Sequence, residues 1–478
     1  MAVRMRKNVW TLPTGDQTLD WYAKAIDVLI KRPITDPTSW RYMAAVHDVP
    51  ATLSTPSSAQ GSWAQCQHQS WFFLPWHRGY ITAFEAVIAK TVADLGGPSE
   101  WALPYWNYSG PASANPNQRM MPPAFLGANL PNGDPNRLWS RRAQNLNGDF
   151  NLDDASVTLD ALNALNFIGS AGGGAPGFGG PSTGFSHFGG SNGALENLPH
   201  NRIHTRVGGQ TGFMTDPATA ALDPIFWLHH CNIDRLWEVW RNQPGRNNPK
   251  SGQWLTAVSF PLHNGVGAAI TINAQDMLDT SKILHGYCYE GTPLAREPTA
   301  MVDTPAEDPA EDATELAGAG DGAVDLTDTV TRVTVTLALD RTNFSFTEAE
   351  KATPSHVFLS IEGVTGRGFP GDVMVFLEPP NDPETPLLAG VLTTFGLARA
   401  SDPELEHGGS GVAQTFEITG MADQLGLTDG SATALQVRFE RETLEPTEDG
   451  APEDLADMAT NDVADPSIQV GMVNLVFS

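Results

Sequence analysis

The sequence predicts a mainly α-helical domain over residues 1–295, followed by an all-β sandwich or barrel over residues 329–478. Three observations indicate this order. Apolar residues recur at helical spacing in two blocks of the first 250 residues. A stretch rich in Pro, Ala, Asp and Glu follows, and it predicts a linker over residues 296–328. Beyond it, short apolar runs are separated by Gly and Pro, which is typical of strands.

The first helical block covers residues 16–95, where apolar residues repeat every three or four positions. The second covers residues 217–242. A helix within it begins at Asp223-Pro224, because proline is favoured in a first helical turn and aspartate can cap the helix. Between the blocks, residues 169–193 are too rich in glycine for a regular element. They predict a long surface loop, and such loops are often functional.

Four segments of the C-terminal region have the length and pattern of strands. They are residues 331–339, 356–361, 372–377 and 434–439. A chain of 478 residues is long enough for two domains.

The charge is concentrated in the C-terminal region. The chain has a formal net charge of −27, and residues 301–478 contain 33 Asp and Glu against 7 Lys and Arg. Such a surface repels nucleic acid and anionic membranes, so neither is an expected partner, and a solvated acidic face is the simplest explanation.

No segment has the apolar length of a membrane span or of a Sec signal peptide. Three cysteines are too few for a disulfide framework. We therefore expect a soluble protein, cytoplasmic or otherwise, although export through a partner on the twin-arginine route stays open.

Seven of the twelve histidines fall in three clusters. These are His47 with His68 and His77, His200 with His204, and His229 with His230. Residues 200 and 204 are one helical turn apart, so a helix beginning at this point would direct both imidazoles to one side. Such pairs also occur as surface or packing residues.

In a helix beginning at Pro224, His230 interrupts an apolar stripe and therefore needs a buried partner. The other members of the stripe are Phe226, Ile233 and Trp237. His229 lies about 100° further round the helix. We interpret it as a hydrogen-bonding core histidine.

His68 and His77 are nine residues apart and would point in opposite directions on one continuous helix. If Pro75 begins a new helix, His77 lies in its first turn and His68 in the preceding loop, and both can face one point. His47 would end a helix that Ser39 caps.

Six imidazoles without an obvious carboxylate partner disfavour a carboxylate-rich di-iron site. Neutral imidazole binds copper, zinc, iron and nickel, and a copper pair that reacts with dioxygen fits this donor set best. A zinc site or a structural histidine cluster is the alternative.

Four motifs resemble the tyrosinase and polyphenol oxidase family over residues 40–240. They are CQHQSWFFLPWHRGYITAFE (66–85), LPYWNYS (103–109), HNRIH (200–204) and DPIFWLHHCNIDRLW (223–237). The resemblance implies a helical bundle that holds two copper ions, with O2 as co-substrate and a small phenol as substrate. The implied ligands are His47, His68 and His77 for the first copper, and His200, His204 and His230 for the second.

The same resemblance implies ortho-hydroxylation of monophenols and oxidation of o-diphenols to o-quinones. Glu196 and Asn201 match an acidic residue and an asparagine that together orient a water as base, which predicts hydroxylase activity. The alternative for Glu196 is a charge at a helix N-terminus. Cys66 matches a cysteine that forms a thioether with the second histidine, here His68, and a free buried thiol is the alternative.

Other residues of the resemblance are structural. Asp234 and Arg235 would brace the helix that carries His230, and Tyr287 and Tyr289 match a tyrosine motif that closes the catalytic domain. His187 in the glycine-rich loop could contact substrate or lie in solvent.

The C-terminal region resembles that of plant polyphenol oxidases, through FLSIEGV (358–364) and IQVGMVNLVF (468–477). This resemblance implies a lid that keeps the enzyme latent, with a residue of the loop near 395–397 blocking the site. Two other functions stay open: a catechol oxidase without hydroxylase activity, and a hemocyanin-like dioxygen-binding protein. The sequence determines neither the physiological phenol nor the oligomeric state.

Overall fold

The structure, a computed structural model, describes residues 3–478 except 51–52, 110–116, 148–151, 171, 187, 285, 294–313, 338–355, 406–407, 430, 449–452 and 459–464. Helices dominate the part before residue 294, and a large β-sheet dominates the part after residue 313. Among the described residues, no helix is both long and apolar enough to cross a bilayer.

The two predicted helical blocks correspond to five of the eight α-helices in the described part of the chain. The helices are α1 (Thr18–Leu29), α2 (Trp40–His47), α3 (Phe73–Asp94), α4 (Arg202–Gly208), α5 (Pro217–Ala220), α6 (Pro224–Arg241), α7 (Gly252–Leu255) and α8 (Leu397–Ser401). The first block contains α1 to α3 and the second contains α5 and α6. Both predicted caps are confirmed: the side chains of Ser39 and Asp223 accept hydrogen bonds from the first turns of α2 and α6.

Helices α3 and α6 form the centre of the first domain. Nearly every residue of both helices is buried. The ring of Phe84 stacks on Trp227 at a centroid distance of 3.5 Å and an angle of 8°. Because both helices are enclosed on all sides, polar side chains on them must be satisfied internally or by a ligand.

The strands are β1 (Arg4–Arg6), β2 (Gly190–Ser191), β3 (Phe260–His263), β4 (Ala269–Ile272), β5 (Tyr287–Tyr289), β6 (Glu315–Gly320), β7 (Val324–Asp325), β8 (Val330–Leu337), β9 (Val357–Arg367), β10 (Val373–Glu378), β11 (Leu387–Leu392), β12 (Val412–Glu417), β13 (Ala434–Arg441), β14 (Ser467–Val470) and β15 (Met472–Phe477). All four predicted strand segments are confirmed, as β8, β9, β10 and β13.

The predicted linker is wrong in its second half. Strands β6 and β7 lie within residues 296–328, and β6 pairs with both β8 and β15. The small residues of ELAGAG and the surrounding acidic residues lack the apolar pattern of a strand, so the sequence did not predict β6. Its stability comes from hydrogen bonds to β8 and β15 on its two sides. Residues 294–313 lie outside the described residues.

The C-terminal strands follow one path, in the order β11-β10-β13-β8-β6-β15-β9-β12-β2. Strands β11 and β12, from opposite parts of this path, also contact each other, so the sheet curls like a partly open barrel. Strand β2 belongs to the glycine-rich loop and pairs with β12 in parallel. The loop of the first domain is thereby joined to the C-terminal sheet.

Asp234 is the centre of a buried network that holds α6 in place. Its carboxylate accepts hydrogen bonds from the hydroxyls of Tyr287 and Tyr289, both at 2.6 Å, and pairs with Arg6 and Arg78. Burial opposes ionisation, but the two arginines outweigh it and lower the pKa of Asp234. The predicted bracing role of Asp234 is confirmed.

We expect Asp234→Asn to lower the free energy of unfolding by about 3 kcal/mol, because Arg6 and Arg78 each lose one of two buried carboxylate partners and keep only Glu85 and Glu238. Denaturant titration measures this change. The control is Asp94→Asn, whose exposed carboxylate pairs with Lys90. It should cost less than about 1 kcal/mol. Similar losses in both variants would contradict the role of the network.

Candidate dinuclear metal site

The first predicted group of histidines comes together around the start of α3. His47 is the last residue of α2, His68 lies in the loop before α3, and His77 is the fifth residue of α3. The helix begins at Phe73, two residues earlier than the predicted start at Pro75. The separation of His68 and His77 into loop and helix is nevertheless confirmed.

These three imidazoles face one another closely. The Nε2 atoms of His47 and His68 are 3.4 Å apart. The centroid of the His77 ring lies 5.6 Å from that of His47 and 5.1 Å from that of His68. Nitrogen atoms at this spacing can share one metal ion.

The second group comes from two segments. His200 lies in a π-helical turn, Glu196–Asn201, which leads into α4, and His204 lies in α4. The centroid of the His200 ring is 4.6 Å from that of His204 and 5.0 Å from that of His230 in α6. His230 also stacks on His77 at 4.5 Å and 6°. The two groups therefore adjoin.

Hydrogen bonds fix the tautomer of five of the six rings. In each, Nδ1 faces an acceptor at 2.8–3.0 Å, which places the proton on Nδ1 and leaves the lone pair on Nε2. The acceptors are Pro217 O for His47, Glu196 Oε1 for His68, Phe73 O for His77, Asn201 Oδ1 for His200 and Met214 O for His204.

The six rings are at most 3% exposed, so an unused lone pair would be costly. Nε2 of His77, His200, His204 and His230 has no hydrogen-bond partner within the described parts of the chain. Burial lowers the pKa of His200 to about 3, which keeps this imidazole in the neutral, metal-binding form. The donor set therefore fits two metal ions.

His229 is hydrogen-bonded to a tyrosine side chain. Its Nδ1 lies 2.8 Å from the hydroxyl of Tyr108. Burial raises the pKa of Tyr108, so the phenol stays protonated, and Asn232 also hydrogen-bonds with it. Nε2 of His229 has no hydrogen-bond partner among the described residues, and His229 lies next to His200, His204 and His230, with one ring nitrogen of each within 4.8 Å of the others. The buried hydrogen bond to Tyr108 supports the interpretation of His229 as a hydrogen-bonding core residue.

Glu196 and Asn201 each hold one imidazole. The carboxylate of Glu196 accepts from Nδ1 of His68 at 3.0 Å and from the backbone N–H of Gln69 at 2.9 Å. Burial raises the pKa of Glu196 to about 8, although the N–H of Gln69 favours the ionised form. The amide of Asn201 accepts from His200 and donates to Oγ1 of Thr393 at 3.2 Å.

Cys66 is buried and forms no disulfide. Its Sγ and ring nitrogens of His47 and His68 lie within 4.8 Å of one another. This position is close enough for Cys66 to influence the first group of histidines, and a thioether with His68 stays a prediction.

Two phenylalanine rings cover the imidazoles. Phe395, in the loop between β11 and α8, stacks on His204 at 3.9 Å and 19°, and is 4% exposed. Phe188, in the glycine-rich loop, stacks on His68 at 4.8 Å and 6°. The sequence indicated residues 395–397 but not Phe188, whose only signal was an aromatic residue among glycines. His187 lies outside the described residues.

Ion pairs anchor the Phe395 loop on both sides. Arg202, between the two histidines of HNRIH, pairs with the buried Asp372 at 3.0 Å and with Glu442. Asp372 also accepts from the backbone N–H of Thr394 at 2.9 Å. On the other side, Arg399 of α8 pairs with Asp48 at 3.0 Å. Sequence reasoning missed the ion pairs because their partners are 170 or more residues apart.

Fold and site together define a dinuclear metal protein with an all-imidazole donor set. Residues 37–243 match the family model "Common central domain of tyrosinase", and residues 313–450 match a domain of unknown function, DUF7868. The chain is 36% identical to Tyrosinase HcTyr1 of Hahella sp. (strain CCB-MM4) over 448 residues, which covers 88% of this chain and 92% of the relative. The chain therefore belongs to the tyrosinase family, whose enzymes use two copper ions to oxidise phenols.

Plant enzymes are more distant relatives. The chloroplastic polyphenol oxidase of Malus domestica is 27% identical over 297 residues, which covers 57% of this chain and 46% of the relative. The solved structure of latent apple tyrosinase superposes with a TM-score of 0.63 at 18% identity, covering 100% of this chain and 98% of that one. At this identity the likeness concerns the fold, including the C-terminal sheet.

Proposed function

We propose that this chain hydroxylates monophenols at the ortho position and oxidises o-diphenols to o-quinones. His47, His68 and His77 would hold one copper ion, and His200, His204 and His230 the other. The observation that carries this proposal is the set of Nδ1 hydrogen bonds, which directs the lone pairs of buried Nε2 atoms toward a common space. Bound copper supplies the electron exchange between the phenol and O2. Oxygen uptake with paired mono- and diphenols tests the proposal.

Hydroxylation also requires a group that accepts the phenolic proton. Glu196 is fixed beside His68 and Asn201 beside His200, so each carries an oxygen next to one of the two histidine groups. We propose that together they orient a water molecule that acts as base. The side-chain N–H of Asn201 donates a hydrogen bond to Oγ1 of Thr393 in the C-terminal domain. Movement of that domain would free this N–H to hydrogen-bond with the water.

We expect Glu196→Gln to slow hydroxylation of a monophenol by about a hundredfold, which is typical of the loss of a general base. Oxidation of the matching catechol needs no such base and should fall much less. Glutamine retains an oxygen that can accept from His68, so the copper content should stay at two ions per chain. Equal loss of both reactions at full copper content would contradict the role.

The competing functions give different results in the same measurements. A catechol oxidase would consume O2 with a catechol but not with the monophenol. A dioxygen-binding protein would bind O2 reversibly and form no quinone with either substrate.

We further propose that the full-length chain is latent. The domains would be residues 1–295 and a lid that begins by residue 314, with residues 296–313 between them. The ring of Phe395 lies flat on His204, one of the proposed ligands, so it occupies space beside the metals that an aromatic substrate would also enter. The lid would therefore compete directly with substrate.

Proteolysis within residues 297–313 should raise the rate of oxidation of bulky phenols. Cleavage removes the covalent connection, so the lid no longer returns to the site at a high effective concentration. Oxygen uptake is measured before digestion and at intervals after it. Complete cleavage without any increase in rate would contradict latency.

The thioether between Cys66 and His68 is likewise proposed. Its formation joins Sγ to a ring carbon and removes one hydrogen from each, with the two electrons passing to O2. Mass spectrometry would then detect a crosslinked peptide two hydrogen atoms lighter than its parts.

A further inference from the structure

Arg399 of the lid interacts with two aspartates of the catalytic domain, Asp48 and Asp216. Its guanidinium forms an ion pair with Asp48 at 3.0 Å and donates to the carbonyl of Val49 at 2.8 Å. The side chain of Asp48 is only 3% exposed. Asp216 is partly buried and also interacts with both groups: desolvation and Asp48 raise its pKa, and Arg399 lowers it. The lid thus supplies a cation that pairs with Asp48 and also acts on the charge of Asp216.

The same short segment also supplies the aromatic ring. Phe395 precedes Arg399 by four residues in a compact turn, closed by the hydrogen bond from Leu397 N to Thr394 O and followed by α8. The ring lies on His204, while the guanidinium lies on the residue that follows His47. In the closed site, one short segment therefore places an aromatic ring on His204 and a cation beside Asp48.

We infer that Asp48, with Asp216 behind it, determines specificity in the open enzyme by recognising a cationic substituent on the substrate. The inference rests on the proposed function and names its substrate class: phenols with an alkylammonium side chain. Once the lid moves away, the two carboxylates lose Arg399, and a substrate ammonium can replace it.

The test uses the full-length double variant Phe395→Ala, Arg399→Ala, in which both the ring and the guanidinium are missing. Calorimetry measures binding of three ligands with the same ring: 2-phenylethylammonium, 2-phenylethanol and 3-phenylpropionate. A charge-assisted contact to Asp48 should make the cation bind about tenfold more tightly than the alcohol. The anion should bind most weakly.

Two further variants isolate the carboxylate. Adding Asp48→Asn should remove the preference for the cation and leave binding of 2-phenylethanol unchanged, because asparagine keeps the oxygen that accepts from Val49 N. The single variant Phe395→Ala retains Arg399 and should show no preference. Equal binding of all three ligands by the double variant, or a cation preference that survives Asp48→Asn, would overturn the inference.

These ligands are not phenols, so binding is measured without turnover and separately from the proposed function. Quinone formation from a neutral catechol tests that function independently. If the double variant does not unfold cooperatively, the inhibition constants of the same three ligands are measured on wild-type holoenzyme after cleavage of the linker. The same order of affinity is expected, and equal constants would overturn the inference.

Discussion

Replacing His230 by Asn should remove one copper ion from each chain and lower phenol oxidation by about a thousandfold or more, as expected for a member of a catalytic unit. Neither ring nitrogen of His230 has a hydrogen-bond partner among the described residues, and the ring stacks on His77. A buried imidazole in this position is available to a metal ion and has no other polar role.

His229→Asn is the matched control, one residue away on the same helix. One ring nitrogen of His229 is already bound to the hydroxyl of Tyr108, whereas both ring nitrogens of His230 lack a partner among the described residues, so His230 is the assigned ligand. The control should therefore retain two copper ions, measured by elemental analysis, and most of the activity. The reverse result, with copper lost from the His229 variant and kept in the His230 variant, would contradict the ligand assignment.

Phe395→Ala should activate the full-length chain without proteolysis. The ring is almost completely buried against His204, and burial of a Phe side chain contributes about 1.5–3 kcal/mol. Losing this contribution shifts the equilibrium from closed to open lid by roughly tenfold to a hundredfold and also clears the place of the substrate ring. The rate of catechol oxidation should rise correspondingly.

Phe416→Ala is the control for general loosening of the lid. Phe416 is also buried in the C-terminal sheet, in β12, where it packs against the backbone of Gly390. Its loss should destabilise the lid without exposing the imidazoles. If this variant is activated as much as Phe395→Ala, loosening of the sheet explains the activation and the ring on His204 does not.

Local patterns made much of the histidine site predictable. Helical spacing separated His230 from His229, and the caps Ser39 and Asp223 correctly indicated the starts of α2 and α6. Even the position of Pro75 was informative, although the helix begins two residues earlier. These features depend on neighbours within a few turns, which the sequence shows directly.

Contacts between distant segments could not be predicted. Arg202 was visible as a charge within a buried motif, but its partner Asp372 is 170 residues away. Asp48 and Arg399 are 351 residues apart, and the strand character of residues 315–320 depends on pairing with β8 and β15. Propensity and periodicity contain no information about which distant segment comes to lie beside a residue.

The pairing of β2 with β12 has a consequence for the kinetics of activation. Gly190 and Ser191 are in register with Val412 and Ala413, and Phe188, just before this short strand, covers His68. A protease that nicks the chain near residue 305 would leave this backbone pairing in place. Activation should then occur in two stages, a rapid cut followed by slower dissociation of the lid. Dissociation breaks this pairing and releases the loop that carries Phe188, which stays attached to the catalytic domain.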